Sequence, residues 1–280
     1  MGLHTPLHKD AAIGNDTPIW RYMDLAKFVS MLSTGGLWFA KAARLHDDPY
    51  EGFCKARYDQ IASREDGLKA IIREDVTGKT AIPLDQMVKD ISRYAANSCE
   101  NARDHLYVNS WCLAGESMAM WQIYSSLSYG IAVTSSIGQY LRAARFKNIH
   151  SSQCRFGKVK YHGDLASSAE IQRDFSELPI PLSSELRKEI LALGFHKRAC
   201  YEHEAEWRAA LYQDSRPDID GVHVVFDLEQ LITAVYVSPR AEEFFFEAVS
   251  SLMSKFFLQK LLDRSALLSP PRKDTAGSAS

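Results

Sequence analysis

Apolar and polar positions alternate along this chain with a period that changes several times, and each change marks an element. Pro18 to Met23 (PIWRYM) alternates like a strand, and Asp24 to Leu32 carries a helical stripe with Asp24 as its N-cap. Gly35-Gly36 then makes a turn into a second short strand, Leu37 to Ala40. From Asp47 to about Asn101 the pattern becomes helical. Ile61, Leu68, Ile71 and Ile72, then Met87, Ile91 and Tyr94 recur at helical spacing, broken by a turn-rich stretch from Val76 to Pro83. This segment reads as a helical layer or insertion.

The second half returns to strand periodicity at Leu106 to Leu113, Tyr129 to Thr134, Arg155 to Tyr161, Trp207 to Tyr212, Val222 to Phe226 and Ala234 to Val237. Helices are predicted at Ser117 to Ser126, Ile137 to Ala144, Ser183 to Leu193 and Ala241 to Leu262. The last places Phe244, Phe245, Val249, Leu252, Met253, Phe256 and Phe257 on one broad stripe that reads as core. No internal repeat is visible. The pattern predicts one α+β domain over 18–265, built on a mixed, mainly antiparallel sheet, with flexible tails at 1–17 and 269–280.

Composition narrows the chemistry. The chain has 280 residues, of which 46% are hydrophobic and 24% charged, enough for a sizeable core. Lys plus Arg (33) nearly cancel Asp plus Glu (35), giving a net charge of -2 and no global field for nucleic acid or an anionic membrane. The five cysteines, at 54, 99, 112, 154 and 200, form no C-x-x-C pair, which suits a reduced cytoplasm and argues against a zinc site. No apolar run approaches the ~20 residues needed to span a bilayer. A cytoplasmic protein with no membrane partner is expected.

Four clusters carry candidate chemistry. In Trp20-Arg21-Tyr22-Met23 an arginine interrupts an apolar strand, where its donors need a partner. That partner is a phosphate or carboxylate ligand, or an internal group such as Glu204 or Glu206. In His46-Asp47-Asp48-Pro49-Tyr50-Glu51 the carboxylates suit either a hard cation or an ordinary helix start with Pro49 in the first turn. Trp121 and Tyr124, three apart on a helix face, wall a pocket for a flat ring or fill a core.

The fourth cluster is Tyr201-Glu202-His203-Glu204-Ala205-Glu206-Trp207-Arg208. If 204–212 is extended, Glu204, Glu206, Arg208 and Tyr212 share one face and Ala205, Trp207, Ala209 and Leu211 the other. The two carboxylates then stand roughly 6 to 7 Å apart, near enough to act on one sugar and too far to share a proton. The bland alternative is an exposed strand face on which Glu206 pairs with Arg208.

In order, these clusters resemble a bacterial family known as domain of unknown function 2971. Its marks are an aromatic-basic-Tyr start, an Asn-Asp-Pro-aromatic-Glu segment, a Trp-x-x-Tyr helix before a Gly-containing strand, and a Glu-x-Glu-Trp-Arg element. They correspond here to Trp20 through Tyr22, Asp47 through Glu51, Trp121 through Val133, and Glu204 through Arg208, with Asp47 where the family has Asn. The chain also resembles ADP-ribosyltransferases in the order of a first-strand Arg, a helix, a Gly-led strand and a late Glu-x-Glu. The Ser-Thr-Ser motif of the arginine-directed branch is absent, and only Ser110, before Trp111, stands in a comparable place.

The resemblance implies an ADP-ribosyltransferase-like fold and NAD as co-substrate, with no metal. It implies transfer of ADP-ribose to a macromolecular acceptor, protein or nucleic acid, in a toxin or phage-defence setting. Glu206 and Glu204 are then the catalytic pair, and Arg21, Tyr22, Trp121, Tyr124 and Ser110 the NAD-binding residues. Two other readings stay open: a ligand-sensing or interaction domain whose charges satisfy one another, and a metal-dependent nuclease using Asp47, Asp48, Glu51 and Glu206.

Overall fold

The computed structural model describes residues 13–45, 48, 86, 89, 102–145, 153–163, 184–213 and 218–269. The helical layer expected over 47–101 lies outside them, apart from Asp48, Gln86 and Lys89, as do most of the tails.

The chain opens with β1 (Pro18–Met23), α1 (Leu25–Thr34) and β2 (Gly36–Lys41). The Asp24 side chain accepts the Lys27 amide and caps α1. Gly35, at φ 59°, ends the helix in the left-handed region that glycine adopts without penalty. A short α2 (Ala102–His105) leads into β3 (Leu106–Cys112), followed by α3 (Met118–Tyr124), β4 (Ile131–Ser136) and α4 (Ile137–Ala143). Then come β5 (Cys154–Lys158), β6 (Lys160–His162), α5 (Ser184–Leu193), β7 (His196–Arg198) and β8 (Glu206–Tyr212). The chain continues through β9 (Gly221–Val225), α6 (Leu228–Leu231), β10 (Ala234–Val237), α7 (Glu243–Lys255) and β11 (Leu261–Arg264).

Among the described residues nine strands form one sheet that forks at β3. One side of β3 is covered along its full length by β8, which in turn pairs with β5. On the other side two branches leave it, β1-β4-β10-β11 and β2-β9. Every pairing in this sheet is antiparallel except β10 with β11, while β6 and β7 form a separate parallel ribbon. The architecture is α+β with a mixed, mainly antiparallel sheet.

The main core lies on the sheet face that presents Ile19 and Met23 of β1, Tyr107 and Trp111 of β3, and Trp207, Ala209 and Leu211 of β8. Tyr140 of α4 packs edge-on against Trp111 and Trp207 there. Smaller apolar clusters occupy other surfaces, around α5 and around Tyr22 and Trp121.

The final helix corrects the expected stripe. It ends at Lys255, and although Phe245, Val249 and Met253 are buried, Phe244 is 55% and Phe257 81% exposed. Phe257 sits at φ 57°, where the chain turns back to form β11 instead of continuing as helix to Leu262.

Candidate functional site

The fork at β3 creates the site. β1 meets β3 only at Trp20 and Cys112, and β2 meets it only at Ala40–Val108 and Lys41–Tyr107. Side chains bridge the opening between the two branches. Arg21 Nη1 donates to the Ser110 carbonyl at 2.6 Å, and Asn109 Nδ2 donates to the Trp38 carbonyl at 2.9 Å. An arginine in an apolar strand is therefore explained by the sheet itself, since its long donor reaches a backbone acceptor at the fork.

Over this opening lies a cavity of about 790 Å³, within the size range of sites for small molecules and cofactors. Trp20, Arg21 and Tyr22 border it on one branch and Trp38 on the other, with Glu204 and Glu206 at its charged end.

The carboxylates are not presented as two residues of one strand. Ala199–Glu204 forms a 3-10 helix, and Ala205 takes the left-handed conformation at φ 42°, so β8 begins only at Glu206. The extended reading of 204–212 holds from Glu206 onward and fails at Glu204. The two side chains converge instead: Lys197 Nζ donates to Glu204 Oε2 at 2.5 Å and to Glu206 Oε1 at 2.8 Å. The expected separation of 6 to 7 Å gives way to two carboxylates sharing one ammonium.

Around that ammonium the cluster is closely bonded. Tyr124 donates its hydroxyl to Glu204 Oε1 at 2.6 Å. Arg208 donates Nε and Nη2 to Glu206 Oε2 at 3.0 and 2.6 Å, Nη1 to the Gly194 carbonyl at 2.7 Å, and Nε also to Ser110 Oγ at 3.1 Å. The Tyr161 hydroxyl accepts the Glu206 amide at 2.9 Å. Lys197, Glu204, Glu206 and Arg208 are all buried, where a charge is tolerated only with partners of this quality.

Burial and bonding drive the two carboxyls apart in acidity. Burial, with the hydrogen bond and like charge of Glu206, pushes Glu204 up to about 7 against the pull of Lys197. Burial alone would raise Glu206 as well. Arg208, the hydrogen bond from Glu204 and Lys197 outweigh it and hold Glu206 well below the usual carboxylate range. Burial lowers Arg21, offset in part by Tyr140 and Glu206. Two neighbouring carboxyls with opposite shifts are suited to opposite tasks, one able to exchange a proton near neutrality and the other permanently charged.

Of the residues singled out from sequence, Arg21, Tyr22, Ser110, Tyr124, Glu204 and Glu206 border the cavity. Trp121 does not. It is fully buried, meets Tyr22 edge-on at 5.1 Å, and donates its indole N–H to Glu116 Oε1, so it is a core residue and not a stacking platform. Tyr22 is anchored at its hydroxyl, which donates to the Gly115 carbonyl and accepts the Ser117 amide.

The bland expectation of a Glu206–Arg208 pair is met, although buried rather than exposed. Lys197 carried no signal of its own in the His-Lys-Arg run, and α5 and the 3-10 helix on either side of β7 bring it to the carboxylates. Asp48 is buried and accepts from Arg198 Nε at 3.0 Å, while Asp47 and Glu51 lie outside the described residues. Among the described residues no three His, Cys, Asp or Glu stand together as a metal site, and no helix is long and apolar enough to cross a membrane.

No family model matches the chain, so the resemblance to family 2971 gains nothing from that comparison, and no curated protein matches it. Among solved structures it is similar to Thermus sp. 2.9 DarT in complex with NAD+, at 10% sequence identity, covering 91% of this chain and 98% of that one, with a TM-score of 0.37. A likeness at that level decides neither fold nor activity, and the α+β architecture is read from the strand pairings above.

Proposed function

We propose that the cavity at the fork is an NAD site and that the protein transfers ADP-ribose to a macromolecular acceptor, protein or nucleic acid. One observation carries the reading: a buried pair of carboxyls with opposite acidity and a strand arginine border the same cavity. In this reading the C1′–N bond to nicotinamide breaks with its electron pair leaving on the nicotinamide nitrogen. The ribosyl C1′ becomes oxocarbenium-like, and a lone pair of the acceptor forms the new bond. The proton of the acceptor goes to a carboxylate.

Glu206, held ionised, stabilises positive charge that exists only in the transition state. Glu204, titrating near neutrality, accepts the proton. Arg21 borders the cavity as a cation suited to the pyrophosphate, and the rings of Trp20 and Tyr22 bound the space beside it.

A specific observation favours a second reading, a ligand-binding module without turnover. Lys197, Arg208 and Tyr124 already bond all four carboxylate oxygens, as a self-satisfied ion-pair network requires.

The deciding experiment is nicotinamide release from NAD by the purified protein, with and without cell extract as acceptor. Release lost in a folded Glu206→Gln variant supports transfer chemistry. Absence of release in the unmodified protein, with NAD still raising the melting temperature, selects the binding module. If NAD neither reacts nor binds, the site serves another ligand.

A further inference from the structure

Lys197 is placed with unusual care. It lies on β7, whose register against β6 sets Lys197 beside Tyr161. The two side chains serve one stretch of chain: Tyr161 accepts the Glu206 amide, and Lys197 bonds the carboxylates of Glu204 and Glu206. Diagonally across the same ribbon the His162 and His196 rings stack at 5.1 Å and share a hydrogen bond of 2.9 Å between Nε2 and Nδ1. The lysine therefore projects from a two-stranded ribbon cross-linked by side chains, not from a loop. Its ammonium also lies 4.6 Å from the centroid of the Tyr201 ring, which fixes its approach from a further direction.

We infer that Lys197 is a positioning residue for the carboxylate pair: by bonding both side chains at once it lets Glu204 ionise beside the charged Glu206 and so act as the proton acceptor. The inference deepens the NAD reading and rests on it for its catalytic meaning. Here one ammonium is divided between two acids, so its charge sets how readily both can be negative together.

Among the described residues, the other groups bearing on the pair are Arg208 from β8, Tyr124 from α3, Tyr161 from β6, Cys112 from β3 and Arg21 from β1, with Tyr201 of the 3-10 helix against the lysine itself. Of these only Arg208 and Arg21 are cations. Arg208 bonds Glu206 and not Glu204, so neither residue replaces what Lys197 does for Glu204.

The test is the titration of the Glu204 side-chain carboxyl, followed by carbon-13 NMR of Glu-labelled protein and assigned by its loss in Glu204→Gln. Lys197→Met should move the Glu204 midpoint upward by about 1 to 3 pH units, the range an adjacent opposite charge commands, while Lys197→Arg should hold it nearer the original value. Should Lys197→Met fail to fold, the Lys197 Nζ resonance of the unmodified protein takes its place. It should shift through the same midpoint as the Glu204 carboxyl.

In turnover, Lys197→Met should shift the acidic limb of kcat for nicotinamide release to higher pH, and Lys197→Arg should hold that limb nearer its original place. A Glu204 midpoint unmoved by Lys197→Met, or an Nζ resonance blind to it, overturns the inference even if the protein consumes NAD. Failure of the unmodified protein to release nicotinamide sinks the NAD reading instead, and the NMR titration still decides the role of the lysine in the pair.

Discussion

Replacing Glu206 by Gln preserves its shape while removing the charge that both Lys197 and Arg208 face in a buried setting. Two effects follow and are measurable apart. Stripping a buried cation of its counter-charge costs about 3 to 5 kcal/mol, so Glu206→Gln should melt well below the unmodified protein. If Glu206 stabilises the ribosyl cation, nicotinamide release should also fall on the order of 10² to 10³-fold at a temperature where the variant is fully folded. Lost stability with retained turnover would make Glu206 structural only. Glu204 behaves in the opposite sense. Its carboxyl rises from an ordinary 4.5 to about 7 on folding, so the stability tied to its protonated form is fully present below about 4.5 and is lost as pH climbs through about 7. Glu204→Gln, which stays neutral, should therefore gain on the unmodified protein between pH 5 and 8 by roughly 2 to 3 kcal/mol in denaturant unfolding, the gain levelling off above pH 8. A gain that shrinks with rising pH would show that the folded protein does not hold Glu204 in its acid form.

At the scale of elements, the joint between the 3-10 helix and β8 decides how the two acids meet. Ala205 holds φ 42° and ψ 54°, accepts the Leu113 amide at its carbonyl, and swings Glu204 off the strand. Alanine in that region is strained by about 1 kcal/mol, so Ala205→Gly should be neutral to slightly stabilising. Ala205→Val, β-branched and excluded from the left-handed region, should lose about 2 kcal/mol or more and lower the rate with it, as thermal melts and turnover would register. The same joint shows where sequence reasoning stops. Glu204-Ala205-Glu206 has the alternation of a strand, and nothing local announces that Ala205 breaks it, because a conformation disfavoured for alanine is imposed by bonds from elsewhere. Pro18 to Met23 and Ala234 to Val237 were legible to the residue because burial of one or both faces leaves a periodic record. β7 left none, since three residues reading His-Lys-Arg carry no period, and its place depends on pairing with β6. β11 was absorbed into the preceding helix because its leucines continue the apolar run that Phe256 and Phe257 begin. Arg21 was conspicuous as a charge inside an apolar strand, yet only the forked sheet explains what it bonds. Trp121 shows the converse: a tryptophan and a tyrosine on one helix turn look alike in sequence, and the fold buries one beneath Tyr22 while leaving the other on the cavity.

Considered as a whole molecule, the cavity belongs to neither branch of the sheet alone. Trp20, Arg21 and Tyr22 come from the branch that runs out to β11. Trp38 and His223 come from the two strands of the other branch, and the carboxylates come from the far side of β3. A ligand filling this space contacts elements joined to one another chiefly through β3, so binding it should stiffen all of them together. NAD at 100 times its dissociation constant adds about 2.7 kcal/mol to stability, and that increment should be read locally by amide hydrogen exchange. The expected footprint is slower exchange in residues 20–23, 36–40, 118–124 and 197–206 at once, with ADP-ribose reproducing most of it. Nicotinamide alone should protect only the end near Glu204, Glu206 and Tyr124, because it lacks the pyrophosphate that Arg21 would face. Protection confined to one branch, or to the exposed Phe244 and Phe257 surface, would place the ligand elsewhere and leave the ion-pair cluster as a device that braces the fork. A footprint spanning both branches requires the fork itself to be the binding element. The incomplete pairing of β1 and β2 along β3 is then the feature from which the function follows.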